Sequence, residues 1–393
     1  NGSMLAVKPE NGDGDFTFSR NSSATRVNEQ GLVEDVASNL PRIDYTDGCG
    51  SLLLEPQSTN LITQSELFSD ASWNKSATIV SANSTISADG TQNASLIQST
   101  QTGTSYVGAN NLTLTIGNTY TFSCFAKKGN NDWIRLAHIS SVGTGCWFDL
   151  ENGVVGTVNS QSATIEDYGS GWYRCTNTFI ATATTNLDNA FIGICDANGS
   201  TSAGAIGQND YLWGAMLEQN SYATSYIPTQ GGATSTRLAD IATQISTSEI
   251  IGQTEGTIFY DINFNNTASS SQYVGVLSDG TSSNRIQLLN NTLQQWQLFI
   301  SASTISNNIS LTTSTDGVGR YKIAISYKSG DVSFYINGLL KGTSSETFTF
   351  NNLLHFDLGQ RYDNTFSLGN SINSTAVYKT ALTDAQLTAL TTI

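Results

Sequence analysis

Short runs rich in Thr, Val, Ile and aromatic residues recur along the whole chain, each closed by a cluster of Asn, Gly, Ser or Asp. β-branched and aromatic side chains suit a pleated, half-buried surface, and such clusters supply tight turns. This rhythm predicts an all-β protein. Strands are predicted at Ala94–Ser99, Tyr120–Lys127, Trp133–Ile139, Cys146–Leu150, Trp172–Ile180, Ala190–Cys195 and Tyr211–Glu218. A second series is predicted at Thr257–Phe264, Tyr273–Leu277, Arg285–Leu289, Gln295–Ile300, Tyr321–Tyr327, Val332–Ile336 and Leu354–Gly359. Regular short strands with such loops indicate antiparallel β-sandwiches or jelly rolls.

With 393 residues the chain exceeds one ordinary core. We read residues 1–60 as an opening β segment and 61–230 as one sandwich. Residues 231–250 read as a Gly-, Ser- and Thr-rich connector, opened by Gly231-Gly232 and closed by Ser246-Thr247-Ser248, and 251–393 as a second sandwich. Asp15 to Arg20 reads as the first strand. Asn337-Gly338 supplies a turn with positive φ. One short helix is predicted near the C-terminus, with Thr383 as N-cap and Gln386 completing a capping box; Ala385, Leu387, Ala389 and Leu390 form its apolar side.

Charge narrows the function. The chain carries 17 basic and 32 acidic residues, a net charge of -15. Phosphate backbones and anionic membranes need clustered Lys and Arg, so nucleic acid and membrane surfaces are excluded as partners on this reading. No apolar run reaches the ~20 residues of a membrane helix, and no signal peptide is expected. Five cysteines (Cys49, Cys124, Cys146, Cys175 and Cys195) and two His offer no zinc spacing. We expect reduced, mostly buried thiols; a pair among the last four stays open.

Catalytic patterns are thin. Sandwich hydrolases place carboxylates at alternating strand positions; here Glu166 and Asp167 are adjacent and point to opposite faces. His355, Asp357, Gln360, Arg361 and Tyr362 are the residue types a polysaccharide lyase would use. His138 lies between apolar neighbours, Leu136 and Ile139, and reads as structural or as a rim contact. No G-x-S-x-G or phosphate-cradling loop occurs. No cofactor is expected. A structural calcium ion is allowed, with Glu66, Asp210 and Glu218 as its ligands if the first and last strands of the sandwich meet.

Glycan binding asks for less: an exposed aromatic ring under the C–H face of a sugar, with polar neighbours for its hydroxyls. At roughly 25 cal/mol per Å², one stack contributes about 1–2 kcal/mol. Alternation predicts Ile134, Leu136, Phe148 and Leu150 facing the core. Trp133, Arg135, Trp147 and Asp149 then face outward, with Trp172 and Arg174 similarly placed. Asn131 and Asp132 precede Trp133 as polar partners. Together these predict a tryptophan platform on one sheet face. Trp172 and Trp213 are also expected to pack structurally. In the second sandwich Trp296, among Gln294, Gln295 and Gln297, and Tyr362 are the aromatic candidates.

Three stretches carry a resemblance. The first runs from Asp15-Phe16-Thr17-Phe18-Ser19-Arg20 and Ser23-Ala24-Thr25-Arg26-Val27, through Pro41-Arg42-Ile43-Asp44-Tyr45, to Leu52-Leu53-Leu54-Glu55-Pro56-Gln57-Ser58-Thr59-Asn60-Leu61. The second is Gly171-Trp172-Tyr173-Arg174-Cys175. The third is Tyr211 to Gln219, followed by Ala223 to Thr229. Over residues 10–245 the chain resembles phage and prophage tail proteins that carry a carbohydrate-binding-like jelly roll. Met216 departs from that pattern, which often has Gln there. Val332 to Gly338 and Ala376 to Asp384 resemble concanavalin A-like, laminin-G-like sandwiches. The resemblance implies a tandem of jelly roll and concanavalin A-like domain on a virion surface or tail. Its implied partners are bacterial surface polysaccharide and other virion proteins, with a homo-oligomer left open. The competing readings are a β-sandwich polysaccharide lyase or glycoside hydrolase, a structural spacer, and an extracellular bacterial surface adhesin.

Overall fold

The structure of the chain, a computed structural model, describes residues 2–4, 16–110, 112–138, 145–182, 190–245, 249–266, 270–305, 308–363 and 368–393. Asp15, Ile139 and Ser246-Thr247-Ser248, all used above, lie outside the described residues. The chain is all-β: tandem antiparallel sandwiches with a short C-terminal helix, Asp384–Thr391. Among the described residues no helix is long and apolar enough to cross a membrane.

The chain divides into two compact units. One comprises Ala24–Asp35 and Ser58–Arg237. Its first sheet runs in the order Ser162–Asp167, Trp172–Ile180, Thr119–Lys128, Asn209–Glu218, Ala94–Ser99, Thr78–Thr85. Its second runs Val154–Asn159, Gly145–Asp149, Trp133–His138, Ala190–Cys195, Tyr106–Ala109, Trp73–Ser76. Alternate residues of both sheets meet in one core, including Phe122, Cys124, Ile134, Leu136, Phe148, Ile192 and Leu217. The far side of the first sheet carries a smaller cluster, in which Val33 packs with Phe125, Trp172, Trp213 and Tyr226. Val33 comes from the hairpin strands Ala24–Val27 and Val33–Val36, and its N–H donates to the Ala88 carbonyl at 2.9 Å. The hairpin residues thus help to cover that face.

The other unit comprises Asn1–Ser23, Val36–Gln57 and Leu238–Ile393. Seven strands form one sheet: Thr17–Ser19, Ile241–Ile245, His355–Leu358, Gln272–Ser278, Arg285–Asn290, Gln295–Ser301, Ile309–Thr315. The opposing sheet runs Leu339–Ser344, Asp331–Ile336, Gly319–Lys328, Glu255–Phe264, Asn370–Tyr378, Ser51–Leu54, Arg42–Asp44, with Gly2–Met4 also pairing Asn370–Tyr378. The hairpin between Asp331–Ile336 and Leu339–Ser344 turns on Asn337 (φ 49°) and Gly338 (φ 77°). That is the left-handed pair a two-residue hairpin of this twist requires. The helix buries Leu387 against Phe259, Ala324, Tyr335 and Ala376. The Thr383 N–H donates to Gln386 Oε1 at 3.0 Å.

The expected division of the chain is therefore corrected at two points. Residues 1–60 form no segment of their own: their short strands are shared out between the units. Residues 231–250 are not a bare connector either. Ser235–Arg237 pairs with Ser58–Asn60, and Ile241–Ile245 enters the seven-stranded sheet. Strands of three to five residues cannot stand alone: Ile241–Ile245 extends the seven-stranded sheet, whereas Ser235–Arg237 and Ser58–Asn60 pair as a two-stranded ladder packed within the other unit.

Candidate functional site

The second sheet of the unit built from residues 58–237 presents its outer face from four adjacent strands. Ile134, Leu136, Cys146, Phe148, Ile192, Ile194, Val107 and Ala109 point into the core. The intervening positions therefore point away. Register aligns them in rows. Arg135 lies opposite Trp147 on one side and Gly193 on the other, and Gly193 lies opposite Tyr106. In the next row Ala137 lies opposite Phe191, and Phe191 opposite Gly108.

The result is a continuous strip. Tyr106 and Phe191 are half-buried, with ring centroids 5.1 Å apart. The Arg135 guanidinium sits 5.0 Å from the Trp147 ring and 5.1 Å from the Phe191 ring. Burial lowers the Arg135 pKa from its ordinary value. A Cβ added at Gly193 would meet nothing nearer than 3.7 Å, so there is room above the sheet between these rings. His138, on the same strand, stacks on Phe179 at 3.9 Å. Burial first, and the Arg135 charge second, push its pKa down to about 4.

The structure rearranges the expected site residues. Trp147 faces outward as alternation predicts, yet it is 1% exposed, with its indole N–H bonded to the Ser200 carbonyl. It serves as a backing for Arg135 rather than as an open ring. Trp133 is half-buried, and Gly156 approaches so close that a Cβ there would lie 2.6 Å from its ring. Asp149 is buried and spent on the following turn: it accepts from the Glu151 and Asn152 N–H groups at 2.9 and 3.1 Å. Asn131 is buried too, donating to the Trp133 carbonyl at 2.7 Å and to Asp210 at 2.9 Å. Asp132 is exposed and pairs with Lys128 at 2.6 Å. The expected three-tryptophan face does not form, because Trp172 belongs to the opposite sheet and is buried in the cluster with Val33. Trp296 is fully buried in the core of the other unit, 5.1 Å from Phe264 and from Tyr321.

The expected calcium ligands do not converge. Asp210 and Glu218 stand near opposite ends of the strand Asn209–Glu218, roughly 25 Å apart at a strand's rise per residue. Glu218 instead accepts from Ser58 Oγ at 2.6 Å and from the Thr224 N–H at 2.8 Å, and Glu66 accepts from the Tyr226 hydroxyl at 3.0 Å. Among the described residues no group of three or more His, Cys, Asp or Glu is placed to hold a metal ion.

The lyase-type residues occupy the other unit. His355 and Asp357 alternate with the core residues Phe356 and Leu358 and so share the outer face of their strand. Asp357 accepts from Gln360 at 3.4 Å, and burial raises its pKa. Arg361 turns to the Tyr362 hydroxyl at 3.0 Å and to Asp363 at 3.6 Å. Glu166 and Asp167 are both exposed.

Tyr106 and Phe191 went unnoticed in the sequence reading. The signal was present: Phe191-Ile192-Gly193-Ile194 and Tyr106-Val107-Gly108-Ala109 both alternate. The aromatic candidates named from the sequence were tryptophans and Tyr362, and of the tryptophans Trp147, Trp172 and Trp296 are buried.

A family model described as the concanavalin A-like lectin/glucanases superfamily matches residues 240–388. No curated protein matches the chain by sequence. Solved structures similar to parts of it include the CBM40 domain of Ruminococcus gnavus IT-sialidase bound to α2,3-sialyllactose. That match has 20% identity and a TM-score of 0.32, and covers 36% of this chain and 84% of that one. Domain 4 of AbnA, a GH43 extracellular arabinanase from Geobacillus stearothermophilus in complex with arabinotriose, matches at 19% identity and a TM-score of 0.33, covering 44% and 81%. The heptameric SAP-like pentraxin of Limulus polyphemus matches at 15% identity and a TM-score of 0.27, covering 34% and 68%.

Proposed function

We propose that this chain is a non-enzymatic surface or tail protein of a virion that binds bacterial surface glycans. The site is the strip Tyr106, Phe191, Arg135 and Trp147, with Trp133 at its edge. The observation that carries this reading is the half-buried pair Tyr106 and Phe191 beside an arginine held between two rings. Such a surface offers apolar faces to a sugar's C–H face, and the buried Arg135 guanidinium stacked against the Trp147 and Phe191 rings fixes them before ligand arrives, so less entropy is lost on binding. The virion setting rests on the sequence resemblance; an extracellular or cell-surface adhesin would use the same chemistry. Other virion proteins are its expected neighbours.

The test is binding of the purified chain to a bacterial polysaccharide array, with reducing-end and unsaturated products assayed in the same wells. Phe191→Ala and Tyr106→Ala should each weaken binding about tenfold, the equivalent of one lost stack at ~1–2 kcal/mol. Several copies on one particle would convert weak single sites into firm attachment. Product release would replace the binding reading with an enzyme. Unchanged binding in both variants would remove this strip as the site.

A further inference from the structure

The outer face of the seven-stranded sheet in the unit containing residues 238–393 holds a second set of stacked rings and guanidinium groups. Ile286, Leu288, Trp296, Leu298 and Ile300 point into the core, so Arg285, Gln287 and Phe299 point outward. The Arg285 guanidinium carbon lies 4.7 Å from the Phe299 ring centre and 5.2 Å from that of Tyr362. The Arg361 guanidinium carbon lies 4.9 Å from the same Tyr362 ring. Two cations thus share one aromatic ring on a half-buried surface, in a chain with only 17 basic residues against 32 acidic. Arg361 has Asp363 at 3.6 Å. Arg285 donates to Gln287 Oε1 at 2.8 Å and to the Ser282 carbonyl, and among the described residues no carboxylate pairs with it. Its own pKa is lowered, by burial first and by the Arg361 charge among other contributions.

The Asp363 carboxylate acts on both guanidinium groups, so two cations around one ring stand against one neighbouring anion and the surface keeps a net positive charge for a bound anion. A stacked guanidinium presents its remaining N–H groups in a fixed plane, the geometry that matches a carboxylate. We propose that Arg285, Arg361, Tyr362 and Phe299 form a binding site for a carboxylate-bearing polysaccharide. The carboxylate would lie against the two guanidinium groups and the sugar ring against the exposed aromatic edges. This site is separate from the Tyr106–Phe191 strip and does not depend on it.

The experiment is titration of the full chain with polygalacturonate, with polysialic acid and with uncharged dextran, at low and at moderate salt. Binding to at least one acidic polymer, weakened by salt and absent for dextran, is expected. Arg285→Ala and Arg361→Ala should each reduce it about tenfold, the size of one lost charge-assisted contact. Lys341→Ala, at an exposed cation on the opposing sheet, should leave it unchanged, which separates this site from a general effect of charge. The polymer that binds distinguishes uronate from sialate. No binding to either acidic polymer, or equal binding by the wild type and both arginine variants, overturns the proposal. Arg361→Ala keeps the test decisive if Arg285→Ala does not fold.

Discussion

Asp210 and His138 are buried groups that bind protons in opposite senses. Burial pushes the Asp210 carboxyl up to about 7, although the Gly129 N–H and Asn131 Nδ2 both donate to it. Between roughly pH 4 and pH 7 the folded state keeps that proton and the unfolded state releases it. Asp210 therefore costs stability as pH rises through this window. His138 does the reverse. Its pKa, near 4 when folded, leaves it neutral where the unfolded side chain is charged, so its contribution is lost as pH falls from about 6.5 to 4. Urea unfolding at pH 4.5 and pH 8 separates them. Asp210→Asn should gain about 2–4 kcal/mol relative to wild type on going to the higher pH. His138→Gln should gain relative to wild type on going to the lower pH. Equal shifts for wild type and variants at both pH values would contradict these assignments. The thiols give a second residue-scale prediction. All five are free, and Cys49 is exposed. Burial raises Cys146 to about 11 and Cys195 to about 12, and raises Cys124 and Cys175 as well. A thiol-reactive probe should therefore label Cys49 in the native chain and reach the other four only on unfolding. Rapid native labelling of more than one site would refute this. At this scale the sequence is legible in direction and illegible in cover. Alternation places Trp147 and Arg135 on the outer face correctly. It holds no information on Ser200, 53 residues away, which takes the indole N–H, so burial of Trp147 could not be read locally.

At the scale of elements, the N-terminal motif that carries the tail-protein resemblance acquires a structural purpose. Asp240 accepts from Arg20 Nη1 at 3.0 Å, from Arg42 Nη2, and from the Glu55 N–H at 2.9 Å, while Arg42 Nη1 reaches Glu55 at 2.7 Å. Both arginines and Asp240 are fully enclosed. The group ties the stretch after Thr17–Ser19 and the strands Arg42–Asp44 and Ser51–Leu54 to the start of Ile241–Ile245 within one unit. Asn60, from the same motif, works alike in the other unit. It donates to the carbonyls of Ala215 and Ile227 at 3.1 and 2.9 Å and accepts from the N–H groups of Ile62 and Leu217 at 3.1 Å each. Removing one member of a buried ion group strands the others, at a cost of about 3–5 kcal/mol. Asp240→Ala should therefore lower the urea midpoint of the full chain sharply, whereas Asp132→Ala, at an exposed pair with Lys128, should leave it in place. A wild-type midpoint for Asp240→Ala would show the network to be dispensable. Local elements such as the Asn337-Gly338 hairpin and the Thr383–Gln386 helix start were legible because their causes lie within a few residues. The pairing of Thr17–Ser19 with Ile241–Ile245 was not: more than 200 residues separate the partners, and three-residue strands carry no register signal of their own.

At the scale of the whole molecule, connectivity decides which pieces can fold. A fragment of residues 251–393, the second sandwich as the sequence suggests it, would lack Thr17–Ser19, Ile241–Ile245, Arg42–Asp44 and Ser51–Leu54. His355–Leu358 would lose its pairing with Ile241–Ile245, and Asn370–Tyr378 its pairing with Ser51–Leu54. Phe16, Leu52, Leu54 and Ala242 would be missing from the core they share with Ile258, Phe356 and Leu358. Unpaired edges above an open core favour association between chains, so this fragment should aggregate. The repair is specific. The Asp240 N–H donates to the Glu55 carbonyl at 3.0 Å, so residues 36–57 end beside the point where 238–393 begin. Joining 36–57 to 238–393 through a short Gly-Ser linker should restore Arg42, Glu55 and both strands of that segment. Light scattering and a thermal melt compare the two proteins. A soluble, cooperatively melting 251–393 would mean that the early strands only decorate a self-sufficient sandwich. Aggregation of 251–393 beside a monodisperse, cooperative joined protein would mean that they complete it, and that this unit is one fold whose chain is interrupted by the other.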